Sequence, residues 1–160
     1  MPIAQQDLAR EIDTLAEAAD SVEYLMSMIV GLLQERLSHF HWAGFYMIEK
    51  GLPGEEPMLV LGPYVGAETP HKRIPLNQGI CGAAVTEGHT VVVDDVNSDP
   101  RYLACSIETK SEIVAPIFVN GSVVGELDID SHVSAAFGPD DRRLVEYCAA
   151  LVAGYLERAD

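Results

Sequence analysis

Apolar positions recur at helical spacing near both ends of the chain and give way to strand-like runs between them. Leu8, Ile12 and Leu15 mark one stripe, and Leu25, Met28, Ile29, Leu32 and Leu33 mark a second. Residues 5–38 therefore read as helical, with Asp20 or Ser21 able to cap the second run. The period then changes. Residues 41–48 are rich in strand formers, 51–57 read as a hairpin-like loop, and 58–61 as a second strand. Residues 62–72 read as a long irregular loop with two prolines, and 74–76 as a short strand. A short helix is predicted over 77–88, ended by Gly88. A strand over 91–93 stops at Asp94 and Asp95, and 97–108 read as loop or short helix around Pro100. Strands over 111–119 and 123–131 flank Asn120-Gly121, a strong tight-turn signal. The last helix is predicted from near Asp140 to Glu157, with Leu144, Tyr147, Leu151 and Tyr155 on one face. Successive hairpins imply a mostly antiparallel sheet in an α/β (α+β) fold, with the terminal helices packed on one face.

The last strand carries the most informative pattern. Successive side chains of a strand point to opposite faces. Leu127 and Ile129 then face a core, while Glu126, Asp128 and Asp130 line the other face together. Carboxylates at i, i+2 and i+4 sit roughly 7 Å apart and repel one another. On an open wet face that repulsion is small, and the strand is only an acidic surface. In a closed pocket it requires a bound cation or a carboxyl that stays protonated. Under the loops of this chain, the acidic face reads as a ligand pocket.

Composition narrows the partners. At 160 residues the chain reads as one domain spanning 1–160. Its formal net charge is −15, from 10 Lys and Arg against 25 Asp and Glu, with no basic run. That pattern argues against nucleic acid, which needs clustered cations. Small cationic or zwitterionic ligands remain compatible. The apolar stretches are too short and too interrupted for a membrane span. The first residues lack the basic-then-apolar pattern of a secretory signal, so a cytoplasmic address is expected. Three cysteines fit a reducing compartment better than a disulfide scaffold. There is no CxxC or HExxH spacing, so no dedicated zinc site is expected.

Four groups of residues could carry chemistry. Cys105 lies in a loop, within Tyr102-Leu103-Ala104-Cys105-Ser106, and Cys81 lies at the start of a predicted helix. A helix N-terminus favours the thiolate, so both positions could be reactive. Cys148 sits in an apolar helical run and reads as a small core residue. Trp42 and Tyr46, at i and i+4, share a strand face with Gly44 and could wall an apolar or sulfur-bearing ligand, or simply pair in a core. Glu112 opens a strand amid apolar neighbours and, taken alone, reads as an ordinary exposed strand-end charge. His71, His89 and His132 show no ligand spacing and are left unassigned.

In order along the chain stand Trp42-Ala43-Gly44-Phe45-Tyr46, Leu61-Gly62-Pro63-Tyr64, Gly79-Ile80-Cys81-Gly82 and Asp94-Asp95-Val96. Ala104-Cys105, Ser111-Glu112-Ile113-Val114 and Leu127-Asp128-Ile129-Asp130-Ser131 follow. This combination resembles the free methionine-(R)-sulfoxide reductases, a family of single GAF-domain enzymes, over about residues 20–157. The resemblance implies a GAF-like antiparallel sheet of about six strands. It also implies reduction of free, not protein-bound, methionine sulfoxide. By the same resemblance Cys105 matches the catalytic cysteine and Cys81 a second family cysteine. Trp42 and Tyr46 match the substrate-binding aromatics, and Glu112, Asp128 and Asp130 the pocket carboxylates. The implied partners are a small zwitterion such as methionine sulfoxide, a thioredoxin-like thiol reductant in place of any bound cofactor, and a second copy in a homodimer.

One departure bears on the mechanism. Many members have a third, resolving cysteine in the loop after the Gly-Pro-aromatic motif. Here that loop, residues 66–73, has none. Either Cys81 takes the role, an external thiol does, or activity has been lost; Cys81 is the favoured expectation. Glu126 is a second departure, a third acid where the family usually has an apolar residue. The alternative to an enzyme is a non-catalytic GAF sensor that binds a small molecule for signalling. A purely structural dimerisation module would leave the three acids unexplained.

Overall fold

The computed structural model describes residues 1–104 and 106–159. Two helices open the chain, α1 (Ile3–Ala18) and α2 (Val22–Arg36). Ser21 caps α2, its Oγ accepting from the Tyr24 backbone N–H at 3.1 Å. The strands are β1 (Trp42–Glu49), β2 (Met58–Val65), β3 (Arg73–Pro75), β4 (Val91–Val93), β5 (Ser111–Val119) and β6 (Ser122–Ser131). Helix α3 (Gly79–Glu87) lies between β3 and β4, and α4 (Pro139–Ala159) closes the fold. The strands form one six-stranded sheet in the order β3-β2-β1-β6-β5-β4. Every paired neighbour is antiparallel. Both residues of the β5–β6 turn, Asn120 and Gly121, have positive φ (53° and 80°), the conformation this dipeptide favours. Gly88 ends α3 in the left-handed region, as its position predicts.

Alternation along the central strands divides the sheet. Ala43 and Phe45 of β1, Ile113, Ala115 and Ile117 of β5, and Leu127 and Ile129 of β6 face α1, α2 and α4 in one apolar core. Leu8, Ile12, Ile29, Leu33, Leu144 and Val152 meet them from the helices. The other face is covered by α3 and by connecting segments, and holds a second, smaller apolar cluster around Trp42, Tyr46, Ile80 and Val114.

Two boundary readings are corrected. Strand β2 continues to Val65, through residues read as loop. A register shift between Gly44 and Tyr46 leaves Gly62 and Pro63 outside the paired positions, so the proline breaks no ladder bond there. In α4 the buried stripe is Leu144, Val145, Cys148, Ala149 and Val152. Tyr147 falls outside it and is partly exposed, because its hydroxyl reaches across to donate to Asp13 Oδ1 at 3.1 Å.

Candidate functional site

Antiparallel pairing of β1, β6 and β5 places side chains of the second face in rows across the sheet. Asp130 lies between Trp42 and Glu112. Asp128 lies between Gly44 and Val114, and Glu126 between Tyr46 and Pro116. Gly44 is required at its place in this pattern. A Cβ there would collide with the indole of Trp42 and lie 2.9 Å from the Tyr64 Cβ. Without one, Trp42 lies over the strand and stacks on Tyr64, ring centroids 5.7 Å apart. Trp42 and Tyr46 are 6.3 Å apart, a continuous aromatic wall beside the acids.

The acids are covered, not exposed. Glu126, Asp128, Asp130 and Glu112 are 0, 2, 4 and 5% accessible. From α3, the Cys81 thiol donates to Asp128 Oδ2 at 3.5 Å. One potential ligand atom from each of Cys81, Glu112 and Asp128 lies within 4.8 Å of the others. Trp42 Nε1 donates to the Ala67 carbonyl at 2.9 Å, and the Tyr46 hydroxyl to the His71 carbonyl at 2.7 Å. His71 Nε2 in turn donates to the Ala104 carbonyl at 2.8 Å. The aromatic wall thus anchors one covering loop, and His71 ties that loop to the segment leading to Cys105.

Burial dominates the electrostatics. It pushes the carboxyls of Glu126 and Asp130 well above the usual carboxylate range, with the charge of Asp128 adding to it. Asp128 is raised too, by burial, against the opposing effect of hydrogen bonds with Glu112 and Cys81. The Cys81 thiol is driven well up by burial and then by Asp128, Glu126 and Glu112. Burial therefore favours the neutral over the charged form of these groups. Among the described residues, both oxygens of Glu126 and one oxygen each of Asp128 and Asp130 lack a hydrogen-bond partner.

Two cavities flank the acid rows. One, of about 10 Å³, is lined by Tyr46, Cys81, Leu103, Glu112 and Asp128 among others. The second, of about 80 Å³, is bordered by Trp42, Asp130, Glu108, His41 and His132. At its rim the rings of His41 and His132 stack with centroids 4.0 Å apart. His41 Nδ1 accepts from the His132 backbone N–H at 3.0 Å, and burial lowers the His41 pKa, with the neighbouring His132 adding to it.

The structure brings together Trp42, Tyr46, Cys81, Glu112, Asp128 and Asp130, and adds Glu126. Cys105 lies outside the described residues. Two readings are corrected. Glu112 is no exposed strand-end charge, because the neighbouring strand and the covering segments close over it. Cys81 is no activated thiolate, because desolvation and carboxyl neighbours outweigh the helix start. Cys148 is fully buried in the helical core, where burial alone pushes its thiol up to about 12. His71 and His41 could not be found by spacing, since their roles come from contacts with segments 33 and 91 residues away.

Residues 11–156 match the GAF domain family. The chain is 34% identical over 154 residues to the free methionine-R-sulfoxide reductase of Escherichia coli, covering 96% of this chain and 89% of that one. The Neisseria meningitidis free methionine-R-sulfoxide reductase, solved with its substrate, superposes with a TM-score of 0.89 at 29% identity. That match covers 99% of this chain and 94% of the other. The reduced Staphylococcus aureus enzyme gives a TM-score of 0.85 at 32% identity, over 95% of this chain and 94% of its own.

Proposed function

The chain belongs to the free methionine-R-sulfoxide reductase family of GAF domains, and from that premise we infer that it reduces free L-methionine-(R)-sulfoxide to methionine. The observation that carries the reading is the row of buried carboxyls, Glu112, Glu126, Asp128 and Asp130, beside the Trp42–Tyr46 wall. A sulfoxide oxygen leaves only once it is protonated, and a carboxyl whose pKa burial raises is suited to supply that proton. Both cavities are far smaller than the ~300 Å³ of a typical ligand pocket, so binding must displace covering side chains.

In this reading Asp130, beside the larger cavity, meets the substrate ammonium, which favours the ionised carboxylate there. Trp42 and Tyr46 enclose the methyl-sulfinyl end. Asp128, hydrogen-bonded with Glu112, gives its proton to the sulfoxide oxygen. The Cys105 thiolate attacks the sulfoxide sulfur. The S–O bond breaks, the oxygen passes to Cys105 as a sulfenic acid, and methionine leaves two electrons richer. An external thiol then condenses with the sulfenic acid, releasing water, and a second thiol resolves the mixed disulfide. A thioredoxin-like protein fits that role. Cys81 is a poor candidate for it, because a thiol held protonated attacks slowly.

Single turnover tests this scheme. Reduced protein, freed of reductant and mixed with one equivalent of methionine-(R)-sulfoxide, should release one methionine per chain. Dimedone should label Cys105 while mass spectrometry finds Cys81 still a thiol. A Cys81–Cys105 disulfide would overturn the external-thiol route. Absence of methionine would overturn the reductase reading and return the chain to the sensor alternative.

A further inference from the structure

We propose that Cys81, Glu112 and Asp128 form a binding site for one borderline-soft divalent cation of the zinc class. The three residues come from α3, β5 and β6, so no sequence spacing announces them. Their ligand atoms already lie within 4.8 Å of one another. Cys81 Sγ and Asp128 Oδ2 are 3.5 Å apart. Tetrahedral zinc with ordinary Zn–S and Zn–O bonds places such a pair about 3.6 Å apart. Asp128 is 2% accessible, and its Oδ1 has no hydrogen-bond partner among the described residues. A buried carboxyl oxygen left without a partner is an unspent ligand.

The space agrees with an ion. The cavity these three residues line is about 10 Å³, room for one atom-sized guest. One sulfur and two carboxyl oxygens, with a fourth position left to water, suit zinc or cadmium. Magnesium and calcium demand more oxygens than the site offers. On binding, the metal–sulfur bond replaces the S–H bond of Cys81, whose proton passes to solvent, and carboxylate oxygens of Asp128 and Glu112 complete the protein ligands. No electrons move. The bound ion occupies Asp128, the residue that serves as proton donor in the reductase reading, so it inhibits; that consequence rests on that reading, whereas binding does not.

Cadmium titration of Cys105→Ser protein, kept reduced with a phosphine, tests the site. One equivalent should bind and raise the ultraviolet band of a cadmium thiolate. The band should survive a further Cys148→Ser change and vanish with Cys81→Ser. Asp128→Asn, which keeps the side-chain shape, should weaken cadmium about tenfold or more, and serves if Cys81→Ser does not fold. No band in Cys105→Ser, a band that persists in Cys81→Ser, or unchanged affinity in Asp128→Asn would overturn the proposal. Methionine release by metal-free wild type is measured separately. Release without cadmium binding sinks only the ion site, and cadmium binding without release upholds the site while sinking only the reductase reading.

Discussion

The two faces of the sheet are built from the same strands and are almost equally buried, yet they do opposite work. On the helix side, Phe45, Ile113, Leu127 and Ile129 belong to one buried apolar core. At the adjacent position on each strand stand Tyr46, Glu112, Asp128 and Asp130, buried to nearly the same degree and unevenly satisfied. The two buried cysteines repeat the contrast. Cys148 is raised by burial alone, whereas Cys81 is raised by burial and by three carboxyl neighbours. A protein keeps such an arrangement against its own stability, since buried polar groups without partners are costly. The helix face holds the fold together, and the acidic face gives up part of that stability to keep carboxyls buried beside the aromatic wall.

Neighbouring residues on opposite faces should therefore fail differently. Asp128→Asn removes a proton donor at constant shape, and kcat/KM for methionine-(R)-sulfoxide should fall by about 10²–10⁴ with the unfolding midpoint preserved or raised. Leu127→Ala, one position away, should cost about 2–5 kcal/mol in denaturant unfolding, while the folded fraction keeps its specific activity. If Asp128→Asn unfolds the protein and Leu127→Ala silences it, the division between the faces is wrong.

Glu126 gives a smaller and sharper test. Both its oxygens are buried without partners, so Glu126→Leu should stabilise the fold by about 1–3 kcal/mol at pH 8. The sign with pH follows from the raised carboxyls of Glu126, Asp128 and Asp130. The folded state holds their protons above the ordinary carboxylate pKa of about 4, so the contribution of these three groups to stability is full below that value and is lost as pH rises through their raised pKa values. Guanidinium midpoints should fall from pH 5 to pH 8 in wild type and fall less in Glu126→Leu. Parallel pH profiles would show that Glu126 ionises freely.

Much of this was legible in the chain. Period-2 alternation in β6 and the Asn120-Gly121 turn placed Leu127 and Ile129 inward and the acids together. That loops cover the acidic face was legible; that α3 and loop 66–72 bury each acid so completely was not, because no local pattern encodes their packing. Glu112 shows this plainly. A lone glutamate opening a strand looks exposed, and only its register opposite Asp130 and the covering segments make it a pocket residue. Cys81 misled for a related reason. The helix start was correctly located, but the thiol's state is set by residues 31 to 47 positions away in sequence. The stripe on α4 was displaced because Tyr147, an apolar-looking ring, is drawn to the surface by its hydroxyl.

The most direct measurement of the central claim is methionine release from free L-methionine-(R)-sulfoxide with dithiothreitol as reductant, by wild type and by folded Cys105→Ser. Turnover by wild type and none by Cys105→Ser is the expected result. Equal rates in the two proteins, or no release from either, would contradict it.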